Sequence, residues 1–300
     1  MERTKPSPSS GITDQQHADP APRTDPESRH ILTVREPQKG ISLRLKELYE
    51  FHELIYFLVW RDLKVRYKQT ALGVAWAVLQ PFLTMIVFTI FFGNLANVPS
   101  DGLPYPIFSF TALLPWQLFS NALTTASNSL VNNRDLITKV YFPRIILPFA
   151  SIIAGLVDFC IAFLVLAGMM IYYGIVPSAA VIALPLFILL AMITTLAVSL
   201  WLSALNVQYR DIRHIVPFLT QIWLFVTPIA YPSSLVPEKW RFLYGLNPMA
   251  GVVEGFRWAL LGKSTIDVPL LLVSSFMVVC LLVGGLMYFR RMDRTFADVV

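Results

Sequence analysis

Charged residues divide the chain into long uncharged blocks separated by short polar segments. The uncharged blocks lie between Lys68 and Asp101, Asp101 and Arg134, Asp158 and Arg210, Arg213 and Glu238, and Asp267 and Arg290. An apolar helix of about 20 residues crosses a bilayer. The pattern predicts six transmembrane helices, at about residues 72–98, 105–131, 145–173, 181–207, 215–231 and 268–289. We therefore predict an all-α membrane protein whose six-span domain covers residues 71–294.

The segments outside this domain have a different character. Residues 1–40 are polar and contain six prolines, which predicts a disordered cytosolic tail. Residues 295–300 are predicted to form a short cytosolic tail at the other terminus. Residues 41–70 mix aliphatic and aromatic residues with too much charge for a span. They predict an amphipathic helix that lies in the membrane interface, in contact with lipid.

The predicted interfacial helix carries a basic stripe. Arg61, Lys64 and Lys68 are spaced i, i+3 and i+7, and Arg66 lies among them. The plain interpretation is anchoring on the cytosolic side of the membrane. The alternative is a site that contacts the phosphates of a lipid-linked substrate.

Lysine and arginine are distributed unequally among the loops. They occur before the first span, between spans two and three and spans four and five, and after the sixth, whereas the other two short loops contain none. Because cytosolic loops are enriched in these residues, both termini are predicted to be cytosolic.

The segment after the fifth span is too amphipathic for a plain outer loop. It predicts two short helices at about 237–245 and 248–261, an outer helical pair within about 233–262 that dips into the membrane. Three signals support the second helix: the cap and first-turn proline Asn247–Pro248, the i, i+3 ion pair Glu254 and Arg257, and the GxxxG of Gly251 and Gly255.

Two short polar islands are predicted on the cytosolic face. Residues 132–144 predict a short helix that ends before Pro143 and offers one apolar face, formed by Leu136, Ile137, Val140 and Tyr141. Its charged residues are Arg134, Asp135, Lys139 and Arg144. Residues 206–214, with Arg210 and Asp211, predict a second charged helical element. The two islands suit a docking surface for a soluble partner; the alternative is a pair of capped loops whose charges only set the topology.

The composition excludes several kinds of function. The chain is 55% hydrophobic and 14% charged, against roughly 25% charged in soluble domains. Its net charge of +5 is explained by basic membrane edges and gives no reason to expect nucleic acid. The four histidines and two cysteines lack metal-ligand spacing. Residues 262–265 end like a phosphate-binding loop, but position 257, where that loop needs glycine, is Arg257. We therefore expect no catalytic residue, no metal and no cofactor bound by this chain.

One acid and many aromatic residues lie within the predicted spans. Asp158 could carry a proton, or it could bond a neighbouring helix or face a wet cavity; no Lys, Arg or His within the spans is available to pair with it. Aromatic faces stack on sugar rings, and the same residues could instead pack against lipid or core. The candidates for a glycan path are Phe82, Phe88, Trp116, Phe119, Trp223 and Phe225.

Several strings resemble one known family, the membrane permeases of ABC exporters for bacterial surface polysaccharides such as O-antigen, capsule and teichoic acid. The matching strings are LVWRDLKVRYKQT at 58–70, Leu72–Gly73 with Trp76 and Leu79–Pro81, LITKVYFPR at 136–144, LNVQYRD at 205–211, and LNPM at 246–249. They cover residues 54–294 in order and lie in the predicted compartments.

The resemblance implies a homodimer of six-span subunits in the bacterial inner membrane, with two copies of a P-loop ATPase subunit that use ATP and Mg. It implies that 132–144 is the coupling helix, that 207–214 is a second contact, and that the interfacial helix meets a lipid-linked polysaccharide. The outer helical pair, with Asn247, Glu254 and Arg257, resembles a gate. Rival interpretations are an ABC permease for a drug or small lipid, a proton-coupled carrier that uses Asp158, and a membrane-embedded glycan enzyme.

Overall fold

A computed structural model describes residues 49–68, 73–262, 267–293 and 296. The predicted tail 1–40, the first eight residues of the interfacial segment, and most of 295–300 lie outside the described residues. Within the described ranges the chain is helical and contains no strand, which confirms the all-α fold.

Ten α-helices, three shorter helical segments and the loops between them make up the described chain. The α-helices are α1 (His52–Lys68), α2 (Ala75–Phe88), α3 (Tyr105–Asn132), α4 (Arg134–Lys139), α5 (Ile146–Tyr172), α6 (Leu184–Gln208), α7 (Ile212–Val226), α8 (Glu238–Gly245), α9 (Pro248–Leu261) and α10 (Val268–Asp293). A π-helix (Thr89–Leu95) extends α2, and 3-10 helices (Ala179–Ala183 and Ser233–Leu235) precede α6 and α8.

Four of the described helical stretches are long and apolar enough to cross a membrane. They are Ala75–Leu95, Ile146–Tyr172, Ala179–Gln208 and Val268–Asp293. Helix α3 has 28 residues, a length of about 42 Å, so it too is long enough for a bilayer of about 30 Å. Its apolarity is lower because it carries serine, threonine, asparagine and glutamine, many of them inside the bundle.

The fifth predicted span, 215–231, is shorter in the structure. Helix α7 has 15 residues, about 22 Å, and it ends at Val226 because Thr227 adopts an extended conformation. Residues 227–230 then form a buried turn. The apolar run therefore continues past the helix, and the run alone could not reveal where the helix ends.

Helix α3 is the centre of the bundle. It packs against α2, α5, α6, α7 and α9. Large side chains on it, including Phe108, Phe110 and Phe119, have less than 2% of their surface exposed. The two short helices predicted at about 237–245 and 248–261 are present as α8 and α9, within one residue of the predicted bounds; their position on the outer side stays a prediction.

Contacts between loops sort them into two ends of the bundle. At the end where α3 finishes, hydrogen bonds join Arg61 to Asn133, Arg144 to Asp293 and Arg213 to Asn132. Near the residues that precede α3, Ser234 donates to Asp101, and Gly262 lies beside Ser178. The loops predicted to be cytosolic thus meet at one end, and those predicted to be outside meet at the other.

Candidate functional site

Helix α1 is fixed to the bundle at two points. The first is Arg61, whose Nη1 donates to Asn133 Oδ1 at 2.7 Å while its Nε and Nη2 bond the neighbouring Asp62. Asn133 is the residue at the start of α4. The interfacial helix is therefore joined directly to the predicted coupling helix, a contact that the basic stripe did not reveal.

The second point corrects the expectation that Asp158 has no cationic partner. Arg66 and the Tyr67 hydroxyl both donate to the Asp158 carboxylate, one to each oxygen. Both donors come from α1, outside the predicted spans, so a search within the spans could not find them. Burial, together with the hydrogen bond to Asp158, raises the pKa of the Tyr67 phenol.

The basic stripe is therefore divided among three surroundings. Arg61 contacts Asn133, Arg66 contacts Asp158, and Lys64 and Lys68 are exposed. The two exposed lysines fit the predicted contact with headgroups, which stays a prediction.

A cavity of about 630 Å³ opens beside the Arg66–Asp158 pair. Helices α1, α2, α3 and α5 contribute to its wall. Its polar lining consists of Arg66, Tyr67, Gln80, Gln117, Asn121, Thr124, Thr125 and Asp158. Asp158 therefore does two of the things that the sequence allowed: it bonds a neighbouring helix, α1, and it faces a cavity.

Helix α4 is shorter than predicted and its apolar face is divided. It covers Arg134–Lys139, and Val140 is already extended. Ile137 is 5% exposed and packs in the core, Val140 is half-exposed, and Tyr141 is 94% exposed. The predicted single face is wrong because Val140 and Tyr141 lie beyond the helix. Tyr141 and the charged residues Arg134, Asp135 and Lys139 still form an exposed surface at this end of the bundle.

The second island is not a helical element of its own. Tyr209 is extended at the end of α6, and Asp211 precedes α7, so Arg210 and Asp211 lie in an exposed turn. Asn206 donates to the Ser127 carbonyl at 2.9 Å, which fixes this turn against α3. Arg213 Nη2 donates to Asn132 Oδ1 at 3.4 Å, close to the start of α4.

Asn247 caps α9 as predicted and does more. Its Oδ1 accepts from the Met249 N–H at 3.0 Å and from Trp223 Nε1 at 2.9 Å. Its Nδ2 donates to Thr227 Oγ1 at 3.0 Å. One side chain therefore ties the start of α9 to the end of α7.

Glu254 and Arg257 form the predicted ion pair, with 3.2 Å between Oε1 and Nη1. Arg257 is 2% exposed, its Nη2 donates to the Ile229 carbonyl at 2.9 Å, and its guanidinium lies 3.7 Å from the centre of the Phe108 ring. These contacts hold the turn after α7 against α9. Asn247, Glu254 and Arg257 thus connect α9 to α7 and to the turn after α7. Their role as an outer gate stays a prediction.

The two glycines of GxxxG bring α9 close to two different helices. A Cβ on Gly251 would lie 2.0 Å from Ser274 Oγ on α10, and a Cβ on Gly255 would lie 2.1 Å from Phe187 on α6. The prediction that these glycines permit close helix contact is therefore confirmed.

The six aromatic candidates for a glycan path do not form one surface. Trp116, Phe119 and Trp223 form a cluster with ring centres 5.4 and 5.1 Å apart. Phe88 is buried against Phe92. Phe82 on α2 and Phe225 on α7 are exposed.

The residues that sequence analysis missed are the polar side chains of the cavity. Gln117, Asn121, Thr124 and Thr125 are spaced i, i+4, i+7 and i+8 along α3. That spacing places them along one helix face. That spacing is visible in the sequence, but it involves neither the charged nor the aromatic residues on which the predicted sites were based.

No metal centre is found in the part of the chain that the structure describes: no three His, Cys, Asp or Glu side chains lie close enough together to hold an ion.

Comparison with known proteins adds the family. Residues 53–261 match the model of the ABC-2 type transporter family. The chain is 31% identical to the O-antigen export system permease protein RfbA of Myxococcus xanthus over 85% of this chain and 98% of that protein. It is 29% identical to a Klebsiella pneumoniae protein of the same name over 87% and 100%. It is 24% identical to the polysialic acid transport protein KpsM of Escherichia coli over 78% and 92%. The family match covers about two thirds of the chain, and the Myxococcus xanthus permease is matched over 98% of its length. This chain therefore belongs to the ABC-2 type transporter family.

Proposed function

We propose that this chain is the permease subunit of an ABC exporter that moves a lipid-linked polysaccharide of the O-antigen or capsule kind across the bacterial inner membrane. The observation that carries the proposal is that the chain matches permeases named for O-antigen and polysialic acid export over 92–100% of their length. The chain itself performs no catalysis. ATP and Mg are used by a separate P-loop ATPase subunit.

Two permease copies and two ATPase subunits would form the transporter. Each permease copy would cross the membrane six times, with α7 and the turn after it as the fifth crossing, and with both termini in the cytosol. The exposed surface of α4, Tyr141 and the Arg210–Asp211 turn would meet the ATPase, and Lys64 and Lys68 would meet the phosphates of the lipid carrier.

The proposal is tested by deleting the gene in its own bacterium. We expect surface polysaccharide to disappear and its lipid-linked form to accumulate in the inner membrane, with both effects reversed by the wild-type gene. Normal surface polysaccharide after deletion would contradict the proposal. If sensitivity to drugs changed instead, the chain would be a drug or small-lipid exporter.

A proton-coupled carrier has no support in the geometry. Both oxygens of Asp158 accept a hydrogen bond from α1, and the carboxylate is paired with Arg66. Among the described residues that line the cavity that Asp158 faces, no second carboxylate, histidine or lysine accompanies this pair to pass a proton on.

A further inference from the structure

We propose that the cavity beside Asp158 is a binding site for one neutral sugar ring. The assignment of that ring to the exported glycan rests on the function proposed above; the existence of the site does not.

The cavity is bordered by four helices that pack against one another. Arg66 and Tyr67 close it from α1, Trp76 and Gln80 from α2, and Asp158 from α5. Along α3 its lining runs from Leu114 to Thr125, a length of about 16 Å. Its volume of about 630 Å³ lies in the range of small-molecule pockets.

Several acceptor atoms of the cavity have lone pairs that no donor of the described residues occupies. Gln117 Oε1 is buried and has no hydrogen-bond partner among the described residues. Thr124 and Thr125 donate their hydroxyl hydrogens to the carbonyls of Ser120 and Asn121, so only their oxygen lone pairs remain for a ligand. Each oxygen of Asp158 has further lone pairs beyond the bond it accepts. A ligand that fills these positions must bring several hydroxyl or N–H donors.

The charges of the cavity favour a neutral ligand. Arg66 and Asp158 are the charged side chains in its lining, and they are paired with each other. An anion such as a phosphate would compete with Asp158 for the single guanidinium. A cation would compete with Arg66 for the carboxylate. A neutral donor-rich ligand leaves the pair intact.

The remaining wall is apolar and partly aromatic. Trp76, Pro81, Leu118 and Phe159 face the cavity, and more than half of the Trp76 surface is exposed. A sugar ring combines an apolar C–H face, which packs on such side chains, with a rim of hydroxyl donors. Lipid tails lack the donors, and a water cluster needs no apolar wall, so a sugar ring matches both parts of the lining.

Direct binding to the purified full-length protein in nanodiscs tests the site. Methyl glycosides of glucose, galactose and mannose are titrated and followed by saturation-transfer NMR, with glucose 6-phosphate as the charged comparison. We expect saturable binding of at least one neutral glycoside and weaker binding of the phosphate. The proposal is overturned if no neutral glycoside binds or if glucose 6-phosphate binds more tightly. Both outcomes can be measured on the wild-type protein, so this test does not depend on any variant.

Two variants place the binding in this cavity. Gln117→Leu removes the unpartnered acceptor at nearly constant shape, and about tenfold weaker binding is expected. Ala77→Phe fills the cavity from α2 and should abolish binding even if the first variant folds poorly. Gln221→Leu, the same change at an exposed position of α7, should bind as the wild type does. Unchanged binding in both cavity variants would overturn the assignment.

A photo-crosslinking amino acid at position 76 then separates a free sugar from a sugar unit of the glycan. In intact cells we expect a crosslinked product that carries the polysaccharide and its lipid. A product with a small sugar only would refute the assignment to the glycan. If sugars do not bind but gene deletion abolishes surface polysaccharide, the site is wrong and the proposed function stands. If sugars bind in the cavity but surface polysaccharide stays normal after deletion, the site stands and the proposed function is wrong.

Discussion

The guanidinium of Arg257 is almost completely buried and is held by groups from three parts of the chain. Glu254 supplies the opposite charge, the turn after α7 supplies the carbonyls of Ile229 and Tyr231, and Phe108 supplies an aromatic face. Glu254, by contrast, is seen to bond only Arg257 among the described residues. The two members of this ion pair therefore have unequal structural importance.

This inequality predicts different costs for the two substitutions. Arg257→Met leaves the buried Glu254 without a partner and frees two carbonyls, which should cost about 3–5 kcal/mol. Glu254→Gln keeps the carbonyl and aromatic contacts of Arg257 and should cost clearly less. Thermal unfolding of both variants in detergent measures the order. Equal losses would show that the carbonyl contacts contribute little.

Gly255 offers a second test at the level of single residues. A Cβ there would lie 2.1 Å from the ring of Phe187, which is 3% exposed and has little room to move. Gly255→Ala should therefore destabilise the protein by about 1–3 kcal/mol. The matched control is Gly168→Ala, where a Cβ would meet nothing within 4 Å, and its Tm should stay constant or rise because alanine favours helix. A Gly255→Ala variant as stable as the control would contradict this packing.

Among the helices, α4 shows most clearly how an element is shaped by its surroundings. The sequence predicts its existence and its end before Pro143. It does not predict that Ile137 turns into the core while Tyr141 leaves the helix. That division depends on a buried cluster that Ile137 shares with residues of α1, α3, α5, α6 and α10, which are far apart in the sequence. The exposed part of the segment is available to a partner, and the buried part holds it in place.

We therefore predict that binding of the ATPase and folding can be separated within this segment. Val140→Asp with Tyr141→Ala changes only exposed side chains, and it should reduce the ATPase recovered by co-purification roughly tenfold or more while Tm stays constant. Ile137→Asp should lower Tm because it buries a charge.

The matched control for this pair is Tyr172→Ala, a similarly exposed tyrosine at the other end of the bundle. It should retain the ATPase fully. Full recovery of the ATPase with the double variant would place the contact elsewhere, and the Arg210–Asp211 turn would then be the next position to change.

Over the whole molecule, the bonds between loops agree with the distribution of lysine and arginine. The loop before α3 contacts the loop after α7, and the loop after α3 contacts α1. Asp101 and Ser234 can lie on the same side of a membrane only if an even number of spans separates them. Helices α3, α5 and α6 account for three spans, so α7 and its turn must complete the fourth. The topology thus depends on the shortest of the apolar helices.

Cysteine labelling tests this topology. In a background with Cys160→Ser and Cys280→Ser, single cysteines replace Asp101, Ser178 or Leu235, and in a second set Tyr141 or Arg210; all five positions are exposed. A membrane-impermeant maleimide should label the first set in intact spheroplasts and the second set only after permeabilisation. Labelling of Leu235→Cys from the cytosolic side alone would contradict a fifth crossing.

The sequence predicted those features that depend on local pattern. Hydrophobic blocks marked α2, α3, α5, α6 and α10, and the cap at Asn247 and the spacing of Glu254 and Arg257 predicted α9 correctly. Features that join distant segments were missed. The partner of Asp158 is Arg66, 92 residues earlier in the chain, and the partner of Arg61 is Asn133, 72 residues later. No periodicity within one helix can show such pairs, and the cavity depends on them.

The two attachments of α1 have a thermodynamic consequence. Arg61 joins the helix to the start of α4, and five residues later, about 8 Å along the same helix, Arg66 joins it to the wall of the cavity. If an ATPase that docks on α4 shifts α1 between two positions, the affinity of the cavity for its ligand changes with nucleotide state. Linkage then requires that the ligand change the affinity for nucleotide by the same factor. Cargo in the cavity and nucleotide on the ATPase would then influence each other's binding although neither touches the other.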